Sequence, residues 1–328
     1  MKKFFDDLDT LLGQSLQGFA RVHADLVQLH RDPTFVARRE PKPAGHVAVI
    51  SGGGSGHEPL HTGYVGFGML DAACPGQVFT SPTPDQMLAA ARAVERGRGV
   101  LFIVKNYAGD TMNFQMASEM LAIDHLTVLV NDDVAVEHST HTSGRRGVAG
   151  TLVVEKIVGA AAQAGADLAE CKRLGDKANA RTATMGVAFS SCTVPAAGVP
   201  TFDIGPGEIE MGVGIHGEPG RRRALIKPAS AIVDELLDAV LTDLNPPGGQ
   251  PVLLLVNGLG GTPLMELYLL AQLAAQQLER KGLTLERLRV GNFVTSLEMA
   301  GASLTLTMLD DELRALWDAP VRTAALSW

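Results

Sequence analysis

Short runs of apolar, often β-branched residues alternate along this chain with segments whose apolar positions recur every three or four residues. Four such runs mark the first half: HVAVIS around Val47, GVLFIVK ending at Lys105, LTVLVND ending at Asp132, and MGVAFS around Val187. Helical patterns start between them, near Pro84, Thr111 and Gly147. Each run is almost wholly apolar, as in strands covered on both faces. The alternation predicts a parallel sheet with crossover helices. SSCTVPAAGVPTF, Ser190 to Phe202, breaks the rhythm with Pro195 and Pro200 and reads as an inter-domain boundary. Beyond it come a strand-like GEIEMGVGIH, a helix from about Ser230 to Leu244, and the turn NPPGGQ. The strand VLLLVNG, a helix near Thr262 to Lys281, a strand through Val290 to Thr295 and SLTLTML from Ser303 complete the pattern. The expected fold is α/β in two domains. Residues 1–189 form a three-layer unit with a mainly parallel sheet and helices on both faces, and residues 190–328 a smaller mixed-sheet α/β unit.

Composition narrows the partners. A chain of 328 residues with 46% hydrophobic and 20% charged content can bury two cores. Its formal net charge of −8 argues against nucleic acid, and 5% aromatics argue against base-stacking surfaces. Cys74, Cys171 and Cys192 are odd in number and widely spaced, which fits a reducing compartment better than a disulfide framework. Acids interrupt the opening MKKFFDDLDT, so no secretory peptide is read, and no apolar run is long enough to span a membrane. The expectation is a cytoplasmic protein without a membrane partner.

Two histidines in glycine-rich sequence carry the candidate chemistry. SGGGSGHEP, with Gly54 and His57, directly follows the strand HVAVI and presents backbone N–H groups at the carboxyl edge of a sheet. Its spacing fits neither GxGxxG nor GxxxxGK[ST], so no nucleotide site is read here. The letters His57-Glu58-Pro59-Leu60-His61 match HExxH, a zinc pattern only on a continuous helix. Pro59 belongs at a first helical position, which places His57 outside that helix and His61 inside it.

In VKNYAGDTMNF, Lys105 ends a strand and can hold a substrate oxygen or merely mark the strand end. Asp110 is a helix N-cap or a general base toward a hydroxyl. Asp132, Asp133, Arg145 and Arg146 read as solvated loop charges or inter-subunit contacts rather than a metal or phosphate site. GPGEIEMGVGIHGEPG holds His216, a potential nucleophile that gives a hemiaminal with a ketone or aldehyde, and Glu218, which can orient it. In NGLGGTPLMELY a helix start explains everything, with Thr262 as cap and Pro263 as first helical residue.

Together, SGGGSGHEP, ACPGQVFTSPTPDQM, KNYAGD, DDVAV, SGRRGVAG, CTVPAAG, MGVGIHGEPG, NGLGGTPLMELY and the terminal LWDAPVRTAALSW resemble the K-subunit family of dihydroxyacetone kinases over essentially the whole chain. The resemblance implies a cytoplasmic two-domain α/β homodimer that binds dihydroxyacetone between its glycine loops. It implies that His216 forms a covalent hemiaminal with the substrate carbonyl. Asp110 is then the base for the phosphate-accepting hydroxyl, His57 hydrogen-bonds substrate and assists transfer, and Gly54 and Lys105 contact the triose. It also implies that this chain binds no nucleotide or metal of its own. ADP or ATP with Mg is expected on a separate L subunit, which a phosphohistidine-carrier subunit recharges in the phosphoenolpyruvate-coupled systems. The alternatives are a non-catalytic sensor that acts as a co-activator, and a kinase for another small ketose such as erythrulose.

Overall fold

The computed structural model describes residues 2–136 and 144–328. The chain begins with α1 (Leu8–Val22), β1 (Val27–Arg31), β2 (Thr34–Arg38), β3 (His46–Ser55), β4 (Gly66–Phe67) and β5 (Ala72–Val78). It continues through α2 (Pro84–Val94), β6 (Gly97–Lys105), α3 (Ala108–Met120), β7 (His125–Val130), α4 (Gly150–Gln163) and α5 (Leu168–Ala180). The second half comprises β8 (Thr182–Ala188), β9 (Glu208–Met211), β10 (Arg222–Leu225), α6 (Ala229–Leu244) and β11 (Pro251–Gly258). Last come α7 (Leu264–Arg280), β12 (Thr284–Gly291), β13 (Gly301–Met308), α8 (Asp311–Asp318) and β14 (Arg322–Thr323).

Two six-stranded sheets result. The first runs β1-β2-β5-β3-β6-β7. Its β5, β3, β6 and β7 are mutually parallel, and the β1–β2 hairpin adds an antiparallel edge. The second runs β10-β9-β8-β13-β11-β12, with β11–β12 its one parallel pair among the described residues. This is the α/β class, with the mainly parallel first sheet and mixed second sheet that the apolar runs predict.

The near-continuous apolar runs are explained by what lies on each face. In β3, Val47 and Val49 join one core while Ala48 and Ile50 join another. In β6, Leu101 and Ile103 divide likewise from Val100, Phe102 and Val104. The core under α2 and α3 is separate, but the core holding Val47 and Leu101 also takes Leu253 and Leu255 of β11. Helices α4, α5 and α8 therefore form a layer shared by both sheets, and α6 and α7 cover the far face of the second sheet. That sandwich position accounts for α4, buried on almost every side.

Several boundaries differ from the sequence reading. The strand around Val187 is β8, which pairs with β13 and β9 of the second sheet. A division at 189/190 therefore falls one strand after the change of sheets. The Pro-rich stretch Ser190–Phe202 is a connection within the second sheet, between β8 and β9. Strand β5, AACPGQV, has no apolar run to announce it, and its Pro75 lies opposite Gly53 of β3. The strand-like GEIEMGVGIH ends at Met211, because Gly212 adopts φ +81°. No α-helix begins at Pro59: His61 immediately precedes a single 3₁₀ turn, Thr62–Tyr64. At α7 it is Pro263 that has the extended cap backbone, while Thr262 Oγ1 exchanges hydrogen bonds with the Gly301 backbone. Among the described residues no helix is long and apolar enough to cross a membrane.

Candidate active site

Four chain segments meet at one place. The loop that follows the glycine-rich end of β3 carries His57, the end of β6 carries Lys105, and the first turn of α3 carries Asp110. The loop joining β9 to β10 carries His216. A fifth segment, between β12 and β13, clamps the His57 loop from the second sheet. Thr295 N–H donates to the His57 carbonyl at 3.2 Å, and Leu297 N–H to the Gly56 carbonyl at 2.9 Å.

His57 Nδ1 lies 2.7 Å from the Thr295 carbonyl oxygen, which can only accept. Neutral His57 therefore carries its proton on Nδ1 and keeps a lone pair on Nε2. That Nε2 is buried and has no partner among the described residues. The ring stacks on Phe79, with centroids 4.8 Å apart and planes 10° apart, and meets the edge of His216 at 4.7 Å. Burial first, then the charges of His216 and Lys105, holds the His57 pKa well below its ordinary 6.5. The ring is a neutral acceptor at physiological pH.

His216 is clamped by its own loop. Its Nδ1 donates to Glu218 Oε1 at 2.9 Å, and its backbone N–H donates to Glu218 Oε2 at 2.9 Å. Burial works to raise the Glu218 pKa, but the charge and hydrogen bond of His216 and the charge of Arg146 outweigh it, leaving it at about 2. With Nδ1 committed, Nε2 is the free nucleophilic nitrogen, and the side chain is 19% exposed, enough to meet a ligand. The glycines are sterically required here. A Cβ on Gly214 would stand 2.0 Å from Glu218 Oε2 and 2.6 Å from an Arg146 nitrogen.

Lys105 is fully buried and bonds Asp110 Oδ2 at 3.2 Å and His61 Nε2 at 3.0 Å. Gly53 leaves the room for it, since a Cβ there would lie 2.2 Å from Nζ. Asp110 stands in the first turn of α3, where Tyr107 is the cap, so its carboxylate is not the N-cap. A cleft of about 470 Å³ is lined by Gly54, Phe79, Tyr107, Asp110, Asn113 and His216 among others. His57 and Lys105 are buried just behind these walls. A larger hollow of about 920 Å³, between α6 and Val134–Ala135, contains none of the five predicted site residues. Among the described residues no group of three His, Cys, Asp or Glu is placed to hold a metal ion.

Of the four charges read from the sequence as solvated or inter-subunit contacts, Asp132, Asp133 and Arg146 are buried within the chain. Asp132 accepts from Val148 N–H, Gly150 N–H and Thr184 Oγ1, anchoring the start of α4 to β8. Arg146 is wholly buried, pairs with Asp133 at 2.7 Å and donates to the Gly212 carbonyl at 2.8 Å. This ties the His216 loop to the first half of the chain; only Arg145, paired with Asp243, stays half-exposed. Arg146→Ala would leave Asp133 buried without its cation, at a cost of about 3–5 kcal/mol. Urea unfolding checks this, with a loss below 1 kcal/mol contradicting a tight anchor.

Sequence reasoning missed three contributors. Tyr107 meets the edge of His216 at 4.6 Å, and its buried hydroxyl has no partner among the described residues. Phe79 backs His57 with φ +56°, a left-handed conformation unusual for a bulky residue. Thr295 acts through its carbonyl, which no side-chain pattern can announce. Gly54 fits against that Phe79 backbone: a Cβ would meet Thr80 N at 2.6 Å and Phe79 Cα at 2.8 Å. Gly54→Ala is expected to cost about 1–3 kcal/mol by overpacking and to weaken ligand binding at the cleft. Thermal unfolding and a ligand titration check both, and unchanged binding would remove Gly54 from the site.

The Dak1 domain family model matches residues 17–325. The chain is 46% identical to the "PEP-dependent dihydroxyacetone kinase, dihydroxyacetone-binding subunit DhaK" of Escherichia coli, over 100% of this chain and 99% of that one. Among solved structures, the "dihydroxyacetone kinase operon co-activator Dha-DhaQ" superposes with a TM-score of 0.88 at 35% identity, covering 95% of this chain and 96% of that chain. The dihydroxyacetone kinase of C. freundii, in complex with AMP-PNP and Mg2+, gives a TM-score of 0.87 at 35% identity. That match covers 98% of this chain and 60% of that chain.

Proposed function

The chain belongs to the Dak1 family, and from that premise we propose that it is the dihydroxyacetone-binding, catalytic subunit of a phosphoenolpyruvate-dependent dihydroxyacetone kinase. One observation carries the reading. A carboxylate-oriented imidazole, His216 with Glu218, shares a cleft with a buried carboxylate, Asp110, that is paired to an ammonium.

The chemistry follows from the protons. His216 Nε2 attacks the ketone carbon, a C–N bond forms as the C=O π bond opens, and the Glu218 carboxylate stabilises the charge that develops on the ring. In net terms an imidazole N–H adds across the carbonyl, and the carbonyl oxygen ends as a hydroxyl. The neutral Nε2 of His57, without a partner among the described residues, accepts from a substrate hydroxyl. A terminal hydroxyl gives its proton to Asp110 while its oxygen bonds phosphorus and the donor's P–O bond breaks. Glycerol has no carbonyl to trap and is rejected.

The donor nucleotide, ADP or ATP with Mg, belongs to a separate L subunit in this reading, recharged by a phosphohistidine-carrier subunit. The C. freundii kinase was solved in complex with AMP-PNP and Mg2+, and the match to this chain covers 60% of it. The subunit works in the cytoplasm as a homodimer, which sedimentation at micromolar concentration tests.

The likeness to a co-activator makes the alternative concrete, and one experiment separates the two. The purified chain is mixed with an ATP-loaded L subunit and dihydroxyacetone, and dihydroxyacetone phosphate is measured. Turnover supports the kinase subunit. Hemiaminal formation without turnover assigns the chain to sensing, and preferred turnover of a tetrulose changes the substrate.

A further inference from the structure

Helix α4 is apolar on nearly every side, yet it carries Glu155 and Lys156 in its middle, both buried. Lys156 turns away to the Leu316 carbonyl of α8 at 2.7 Å. Glu155 turns the other way, toward the back of the reaction cleft. Its Oε1 lies 2.6 Å from His61 Nδ1, and His61 Nε2 lies 3.0 Å from Lys105 Nζ. Lys105 in turn holds Asp110. We propose, building on the function above, that His61 and Glu155 are positioning residues for phosphoryl transfer, acting through Lys105 on the Asp110 base.

Hydrogen-bond direction supports the assignment. The Lys105 ammonium only donates, so it makes His61 Nε2 the acceptor. The His61 proton then sits on Nδ1 and points at Glu155 Oε1, with Ser51 Oγ a second contact at 3.0 Å. The relay therefore has one direction, from ammonium to imidazole to carboxyl. The other Glu155 oxygen, Oε2, is buried without a partner among the described residues. That is where a proton is held when the carboxyl is neutral.

Charge explains the use of a titratable group here. Lys105 and Asp110 cancel each other, and a neutral Glu155 leaves the buried cluster uncharged. The groups facing Glu155 are Ser51 of β3, His61, Tyr64 of the 3₁₀ turn and Lys105 of β6. Asp132 lies at the head of α4, bonded to its backbone. Burial raises the Glu155 pKa to about 8, against the lowering effects of Ser51 and Lys105. His61 is kept neutral by burial and by Lys105 and His57. Ionisation of Glu155 places a negative charge one imidazole away from Lys105. The ammonium is then shared away from Asp110, which becomes the stronger base.

The test uses the full chain with an ATP-loaded L subunit, comparing wild type with Glu155→Gln, His61→Ala and the double variant. Glutamine keeps the shape of Glu155 and removes its titration. Without that ionisation the Lys105 ammonium stays on Asp110 and the base stays weak, so Glu155→Gln is expected to lower kcat above about pH 8 by roughly 10- to 100-fold, at or below the lower end of general acid–base assistance, with KM within about twofold. The rise in wild-type kcat through about pH 8 disappears in the variant. The double variant is no worse than the poorer single one, as coupled residues require. Carbonyl-labelled dihydroxyacetone still gives the hemiaminal carbon signal in every variant. A wild-type kcat and pH profile in Glu155→Gln overturns the proposal. Loss of the hemiaminal signal also overturns it, because the pair then merely supports the pocket. A wild type that makes no product overturns the functional reading and this one together, a result distinct from failure in the variant alone.

Discussion

His216→Ala is expected to abolish covalent capture and to reduce kcat/KM by at least about 10³-fold, a modest share of the 10⁵–10⁸ M effective molarity that fixed orientation can supply. The clamp around this residue explains why so much rests on it. Glu218 accepts from the backbone N–H of His216 as well as from its ring Nδ1, so the carboxylate is held in place and the ring cannot rotate without losing its charge-assisted bond to it. Its Nε2 therefore faces the cleft in one tautomer and one direction. Alanine removes the ring bond to the buried Glu218 carboxylate but leaves its backbone bond and the nearby Arg146 charge, so stability is expected to fall by about 1–3 kcal/mol. Carbon NMR of carbonyl-labelled dihydroxyacetone is the direct readout. Wild type converts the ketone resonance to a tetrahedral carbon, and the variant leaves it unchanged. A tetrahedral carbon in both proteins would relocate the nucleophile, and in neither would end the hemiaminal mechanism.

The site was legible in the sequence to the extent that its residues sit beside glycines. Gly53, Gly54 and Gly214 are there because a Cβ would strike Lys105, the Phe79–Thr80 backbone or Glu218. Such glycines mark close approach in the sequence itself. His57 and His216 stand out that way, Lys105 by ending an apolar strand, and Asp110 by opening the helix that follows it. What the sequence hid is long-range. The shared helical layer depends on α4 packing against two sheets at once, and a helix apolar all round has no face from which to infer this. Thr295 contributes a backbone carbonyl from more than two hundred residues away, invisible to any local pattern. Asp132, Asp133 and Arg146 misled because acids and arginines close together look solvated. Their burial follows only once β8 and the His216 loop fold over them.

Removing the base should separate capture from transfer. Asp110→Asn is expected to lower kcat by roughly 10²–10⁴-fold, the usual range for general acid–base assistance, while the hemiaminal carbon still forms on His216. The variant keeps nearly the shape of the carboxylate but leaves the Lys105 ammonium buried without its counter-charge. Stability is accordingly expected to fall by up to about 3–5 kcal/mol, so urea unfolding must accompany the kinetics. The labelled-carbon spectrum distinguishes a damaged fold from a lost base, because a misfolded cleft cannot trap the ketone. Retained capture with lost turnover assigns Asp110 to proton removal. Retained capture with undiminished turnover would instead mean that the hydroxyl proton leaves by another route. His57 then becomes the candidate, since its neutral Nε2 is a buried acceptor beside the cleft with no partner among the described residues. Substitution at His57 under the same assay decides between them.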